Sequence, residues 1–360
     1  MLDIVAFVLV LGLLVFIHEA GHFVTAKMAG IKVEEFGFGF PPRLFAVRRG
    51  ETEYSLNLLP LGGFVRMLGE EDPSEARSFA SAPKRWRSLV LLAGPLMNML
   101  LAAFLFAGAY MVGWPTATRT AVSIASVVPD SAAQKAGLQP GDIVISMNGQ
   151  PIDNTTELRQ TIQDHLGQQM QVVVERNGAQ QTLTVQLDPT WDESKGALGV
   201  TSMNEPLQVK PVPYPVWDAV GLGFQRLGDM VAFTVAVPVM VIRGLIPADL
   251  ARPVGPVGIW QVTSQAATAT VDTGWWFPIL YVMAALSVGL GIANLLPIPG
   301  LDGGRLLFVG IEAIRGRRIS PRMEGIINVM GIALLLTLVV VISFYDVSSP
   351  LPTLNWGLGG

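Results

Sequence analysis

The sequence contains no cysteine. Disulfides and thiolate metal ligands are therefore excluded, and any bound metal must use His, Asp or Glu. Histidine is scarce too: there are 3 in 360 residues, and two of them stand four positions apart. Charge is thin. Asp, Glu, Lys and Arg make up 14% of the chain against 51% for the hydrophobic residues. An ordinary globular chain carries about 25% charge. This shortage excludes a typical soluble enzyme and fits a polytopic membrane protein, whose solvent is the lipid bilayer. The formal net charge of −4 argues against a nucleic-acid partner. No basic stretch precedes the first apolar run, where Asp3 is the only early charge. We therefore read that run as a retained first span and not as a cleaved signal peptide.

The run extends from Leu2 to about Lys27 and contains Phe16-Ile17-His18-Glu19-Ala20-Gly21-His22. On a helix His18 and His22 are one turn apart and share a face. Two imidazoles at that spacing make two corners of a tetrahedral zinc site, and Glu19 beside them can act as general base. The pattern is short, and a helix can carry two histidines by chance. The apolar context tells against chance, because ionisable groups at membrane depth are costly and functional by default.

Residues 31–70 differ. Val33 to Pro42 is rich in Gly, Pro and aromatics, and Glu53 to Pro60 alternates with period two. Arg48-Arg49-Gly50-Glu51 reads as a turn between them. A membrane-associated β-hairpin is expected, dipping toward the histidines, with an ordinary surface hairpin as the alternative. Its free edge could accept an extended peptide. Ser88 to about Trp114 is the second span. Asn98 within it reads first as a helix–helix hydrogen bond, and second as a residue facing the site.

Residues 118–200 are polar, with short apolar runs. Alternation over 122–128, a capped helix from Ser131, a strand 143–147 into Asn148-Gly149, a helix over 155–166 and a hairpin closed by Asn177-Gly178 describe a soluble α+β module. Ala136-Gly137-Leu138-Gln139-Pro140-Gly141-Asp142 followed by Ile143 to Gly149 resembles a bacterial PDZ domain. No glycine-rich carboxylate-binding loop is evident near Arg119 to Val122. Residues 201–215 are Pro-rich and read as a linker. Residues 217–246 are apolar but interrupted by Gln225, Arg226, Asp229 and Pro238, which predicts membrane-associated helices in preference to a full span.

Trp275 to Leu296 and Gly325 to about Phe344 are the last two spans, making four. The expected divisions are 1–114, with the first two spans and the hairpin; 115–202, the PDZ-like module; 203–274, linker and membrane-associated helices; 275–346, the last two spans; and 347–360, a tail. Basic residues crowd 28–87 and 303–323, which puts those loops in the cytoplasm and the PDZ-like module outside. Depth can then be counted. The first helix reaches His18 and His22 roughly 24–30 Å from its outer end. The third span enters from the same side and reaches Asp302 at a similar depth. Asp302 can therefore be the third metal ligand, although 280 positions separate it from His22. A helix N-cap is the alternative for that carboxylate.

His18-Glu19-Ala20-Gly21-His22 in a first span, the hairpin ending Leu59-Pro60-Leu61-Gly62-Gly63-Phe64, a PDZ-like insert between spans two and three, and Asn294 to Gly304 with Pro297, Pro299, Leu301 and Asp302 together resemble the site-2 protease family of intramembrane zinc metalloproteases. The resemblance covers nearly the whole chain and is greatest to the bacterial proteases that cleave anti-sigma factors. It implies His18, His22 and Asp302 on Zn2+, Glu19 as catalytic base, and Asn294, Pro297 and Pro299 around an unwound substrate segment. It implies single-span membrane proteins as substrates, anti-sigma factors among them, with signal-peptide remnants as a further class. It also implies residence in the cell's inner membrane. Only one PDZ-like module is evident, where the better-known enterobacterial member has two in tandem. A transporter or a non-catalytic PDZ scaffold is the competing reading. No internal repeat supports the transporter, and the scaffold leaves Glu19 and Asp302 without a purpose.

Overall fold

The structure, a computed structural model, describes residues 2–70, 72–190, 196–247 and 251–356. The end of the expected tail, 357–360, lies outside the described residues. The chain divides into two compact units: Met1–Trp114 with Pro213–Leu354, and Pro115–Val212 with Asn355–Gly360.

The first unit begins with helix α1 (Leu2–Met28), apolar on all sides over most of its length. Such a helix cannot be half-solvated and belongs in lipid or in a core. Strands β1 (Val33–Arg49) and β2 (Thr52–Met67) follow as an antiparallel hairpin. The hairpin is folded on itself. Residues near the start of β1 pair twice, Phe36 with both Val65 and Tyr54, and Phe38 with both Gly63 and Leu56. The last stretch of β2, 63–67, is thereby left as a sheet edge, since no third strand joins this sheet among the described residues. The other end is the turn at Gly50, where Glu51 holds Lys27 of α1 at 2.7 Å and Arg77 at 2.8 Å. Arg77 and then Lys27 hold the Glu51 carboxyl at about 2, below the usual carboxylate range. Leu44, Phe45, Val47, Leu58 and Leu59 of the hairpin are exposed. An apolar surface of that kind suits lipid contact.

Helix α2 (Lys84–Met111) returns alongside α1. In the second unit, β3 (Trp114–Val127), α3 (Ala132–Lys135), β4 (Ile143–Met147), β5 (Gln150–Pro151), α4 (Thr155–Asp164), β6 (Gln169–Arg176), β7 (Ala179–Gln186) and β8 (Val200–Val212) form a sheet ordered β7-β6-β4-β3-β8 with two short helices. Its core is one apolar cluster including Val122, Val144, Met147, Leu158, Met170 and Val174. Local chemistry sets its turns. Ser131 caps α3, Asn154 caps α4 through the Glu157 amide, and Asn177-Gly178 takes positive φ at both residues. Residues 201–212, expected as linker, continue β8. This strand is the edge of the sheet, and an edge tolerates proline.

Back in the first unit come α5 (Val216–Ile242), α6 (Pro256–Thr273), α7 (Phe277–Leu295), α8 (Asp302–Arg315) and α9 (Pro321–Ser348). Among the described residues, five helices are long and apolar enough to cross a membrane: α1, α2, α5, α7 and α9, where four spans were expected. The additional one is α5, a single continuous helix where an interrupted segment was expected. Its polar residues are accommodated. Arg226 donates to the Tyr281 hydroxyl at 3.3 Å and lies over the Trp114 and Tyr281 rings. Leu227, Met230 and Val231 pack on the cluster that Phe106 and Val288 build between α2 and α7. Between α7 and α8 the chain is irregular. It packs so tightly on the first turn of α8 that a Cβ at Gly303 would lie 2.3 Å from the Leu296 carbonyl oxygen, and one at Gly304 2.2 Å from that of Ile298. The paired glycines let this segment close onto α8, which starts at Asp302.

Candidate metal centre

α1 carries His18 and His22 one turn apart, both buried. α2 crosses behind them and α8 brings Asp302 in front. His18 Nε2 lies 3.1 Å from Asp302 Oδ2 and 3.1 Å from His22 Nε2, and His22 Nε2 lies 3.3 Å from Asp302 Oδ2. The three atoms form a nearly equilateral triangle. In a tetrahedron the ligand–ligand edge is about 1.6 times the bond length. With Zn–N and Zn–O near 2.0–2.1 Å, the edge is about 3.3–3.4 Å. The observed triangle therefore matches one face of a zinc tetrahedron.

The protonation pattern fits as well. His22 Nδ1–H donates to the Val90 carbonyl at 2.8 Å. A carbonyl can only accept, so the neutral ring must keep its lone pair on Nε2, the atom in the triangle. Space is fitted just as closely. A Cβ at Gly94 of α2 would stand 2.3 Å from His22 Nε2 and 2.8 Å from His18 Cε1. Only glycine lets α2 approach both rings.

A cavity of about 410 Å3 opens onto these atoms. Glu19, Asn294 and Arg305 line it, as do Gly63 to Val65 from the edge stretch of β2. Arg305 is one helical turn beyond Asp302 and holds Glu70 at 2.6 Å. Thus the structure brings together His18, Glu19, His22, Asp302 and Asn294. It does not bring Pro297 or Pro299 into the cavity lining. Pro297 is exposed, and the Pro299 carbonyl packs on α9 at Gly331. Sequence reasoning overlooked Val90, Gly94, Glu70 and Arg305. Of these only Arg305 left a legible signal, its i+3 spacing from Asp302.

A second cavity, of about 580 Å3, lies in the second unit between α4 and the start of β8. Gly196-Ala197-Leu198-Gly199 leads into that edge strand and lines the groove with Leu158, Arg159 and Ile162. This glycine-bearing loop lies some 75 residues beyond the stretch, Arg119 to Val122, where sequence reading sought one.

Donors converging in this way, inside a bundle of apolar helices and beside a glutamate, place the chain in the class of membrane-embedded metallohydrolases. Comparison with known proteins narrows this. The model of peptidase family M50 matches residues 6–338, and the chain belongs to that family, the site-2 proteases. It is 32% identical to the zinc metalloprotease RasP of Geobacillus kaustophilus over 96% of this chain and 97% of the relative. It is 30% identical to the protein of that name in Oceanobacillus iheyensis, over 96% and 99% of the two chains. The chain is a metalloprotease of a multi-pass membrane type.

Proposed function

We propose that the protein is an intramembrane zinc metalloprotease that cuts single-span membrane proteins within or near the spanning segment. The observation that carries this is the triangle of His18, His22 and Asp302 donor atoms at 3.1–3.3 Å, opening on a cavity that Glu19 shares. These three residues would hold zinc, which when bound would supply Lewis-acid activation of a water. Glu19 takes the proton from the attacking water and later delivers one to the leaving amine. A helical substrate must first unwind, because its amides are locked in internal bonds. Gly63 to Met67, the edge stretch of β2, adds the unwound segment as an extra strand on its open side. Asn294 supplies a side-chain hydrogen bond to it. Pro297 and Pro299 act indirectly, by shaping the turn ahead of Asp302.

The substrates that suit such a site are single-span proteins of the anti-sigma-factor type, with signal-peptide remnants as a further class. We read the second unit as a PDZ domain on the extracytoplasmic side of the inner membrane, with the metal centre nearer the cytoplasmic side. The groove between α4 and β8, with its glycine-bearing loop, supports that reading. The test is direct. Purified wild type in lipid, incubated with a single-span anti-sigma-type protein, should release two fragments cut within the span. Glu19→Gln should release none while retaining its zinc. Cleavage by Glu19→Gln at the wild-type rate would remove Glu19 from the reaction.

A further inference from the structure

Asn98 stands in α2 and is completely buried. Its Nδ2 lies 3.2 Å from His18 Nδ1, and its Oδ1, also buried, has no hydrogen-bond partner among the described residues. Its backbone is pinned. The buried hydroxyl of Ser287 on α7 donates to the Asn98 carbonyl at 2.8 Å. Helices α1, α2 and α7 thus meet at this residue.

The two rings of the metal centre are held differently. Nδ1 of His22 faces a carbonyl, which leaves one tautomer. Nδ1 of His18 faces an amide, which can accept or donate. A half-turn about the last side-chain bond of Asn98 exchanges its oxygen and nitrogen. With nitrogen toward His18, Asn98 donates, and a neutral ring carries its proton on Nε2, inside the triangle. With oxygen toward His18, Nδ1–H donates to it, and Nε2 keeps a lone pair facing Asp302 and His22. Only the second arrangement makes His18 a metal ligand.

We propose that Asn98 is a positioning residue: its otherwise unpartnered Oδ1 accepts from His18 Nδ1–H and so selects the tautomer that binds zinc. This rests on the reading of His18 as a zinc ligand. The test uses the full chain, stripped of zinc and titrated against a chelator of known affinity. Asn98→Leu, similar in size and without an acceptor, should bind zinc about 10–100-fold more weakly. Asn98→Asp, which keeps an acceptor, should bind at least as tightly as wild type. Nitrogen NMR of the imidazoles, with only 3 histidines to assign, should find the His18 proton on Nδ1 in the zinc-loaded wild type. Wild-type zinc affinity in Asn98→Leu, or a bare Nδ1 on His18 in the loaded protein, overturns the proposal. Should Asn98→Leu not fold, the NMR result decides alone. His18→Phe separates the two levels. Unchanged zinc affinity there removes His18 as a ligand. Loss of zinc there, with wild-type affinity in Asn98→Leu, keeps the ligand and removes the role of Asn98.

Discussion

The two units bury polar side chains to different ends. In the second unit Asp142 is completely buried and both its oxygens are engaged. Arg176 donates to them at 2.6 and 2.7 Å, and the Gln139 amide adds a bond at 2.9 Å. Burial alone would raise this carboxyl, but Arg176 and the amide more than offset it and hold it below the usual range. In the first unit His18, His22 and Asp302 turn their donor atoms toward one another. One arrangement is electrically closed within the protein and ties a loop to a strand. The other is completed by a cation from outside. Burial makes both costly, and only the second keeps its donors for chemistry.

Substitutions can break this contrast. The largest effect is expected at Glu19. Glu19→Gln should lower the cleavage rate by about 10²–10⁴-fold, the usual size of a lost general base, with zinc content unchanged by metal analysis. Gly94→Ala comes next. The added methyl would displace His22, so zinc affinity in the chelator titration should fall by about 10-fold or more, as for other losses of ligand orientation. On an exposed helix the same change would stabilise. Wild-type affinity would show that α2 does not set the ring positions.

In the second unit the expected losses are of stability alone. Asp142→Asn should cost about 1–3 kcal/mol, read by denaturant unfolding of the sheet unit, and leave zinc content untouched. The wild-type contribution has a pH dependence of definite sign. The folded carboxyl lies below the unfolded value of about 3.9, so its contribution is complete above about pH 5 and shrinks as pH falls below 4. The Asp142→Asn variant should lose that dependence. Smallest, Asn154→Ala removes the cap of α4 and should cost about 1 kcal/mol. Zinc loss in either second-unit variant would erase the contrast between the units.

Much was legible in advance because its signals are local. Helical spacing put His18 and His22 on one face, and alternation with Asn177-Gly178 described the β6–β7 hairpin. Asp302 needed one non-local step, a count of depth along two spans, and the structure places its carboxylate in contact with both imidazoles. Two stretches were misread from composition. Prolines made 201–212 look like linker, though an edge strand admits them. Polar residues made α5 look broken, though Arg226 finds the Tyr281 hydroxyl and two ring faces in space.

The sequence by itself determined a lipid-soluble helical bundle without thiols, a helix-borne imidazole pair with its glutamate, and a separate polar module with capped turns. Each of these rests on residue type and on spacing within one or two turns. Only the tertiary structure decided which carbonyl orients His22, why position 94 must be glycine, that Asn98 faces His18, and that Arg305 and Glu70 stand together at the cavity. Those contacts join groups 68 to 235 positions apart. No local pattern encodes them, because they depend on how the faces of α1, α2 and α8 pack against one another.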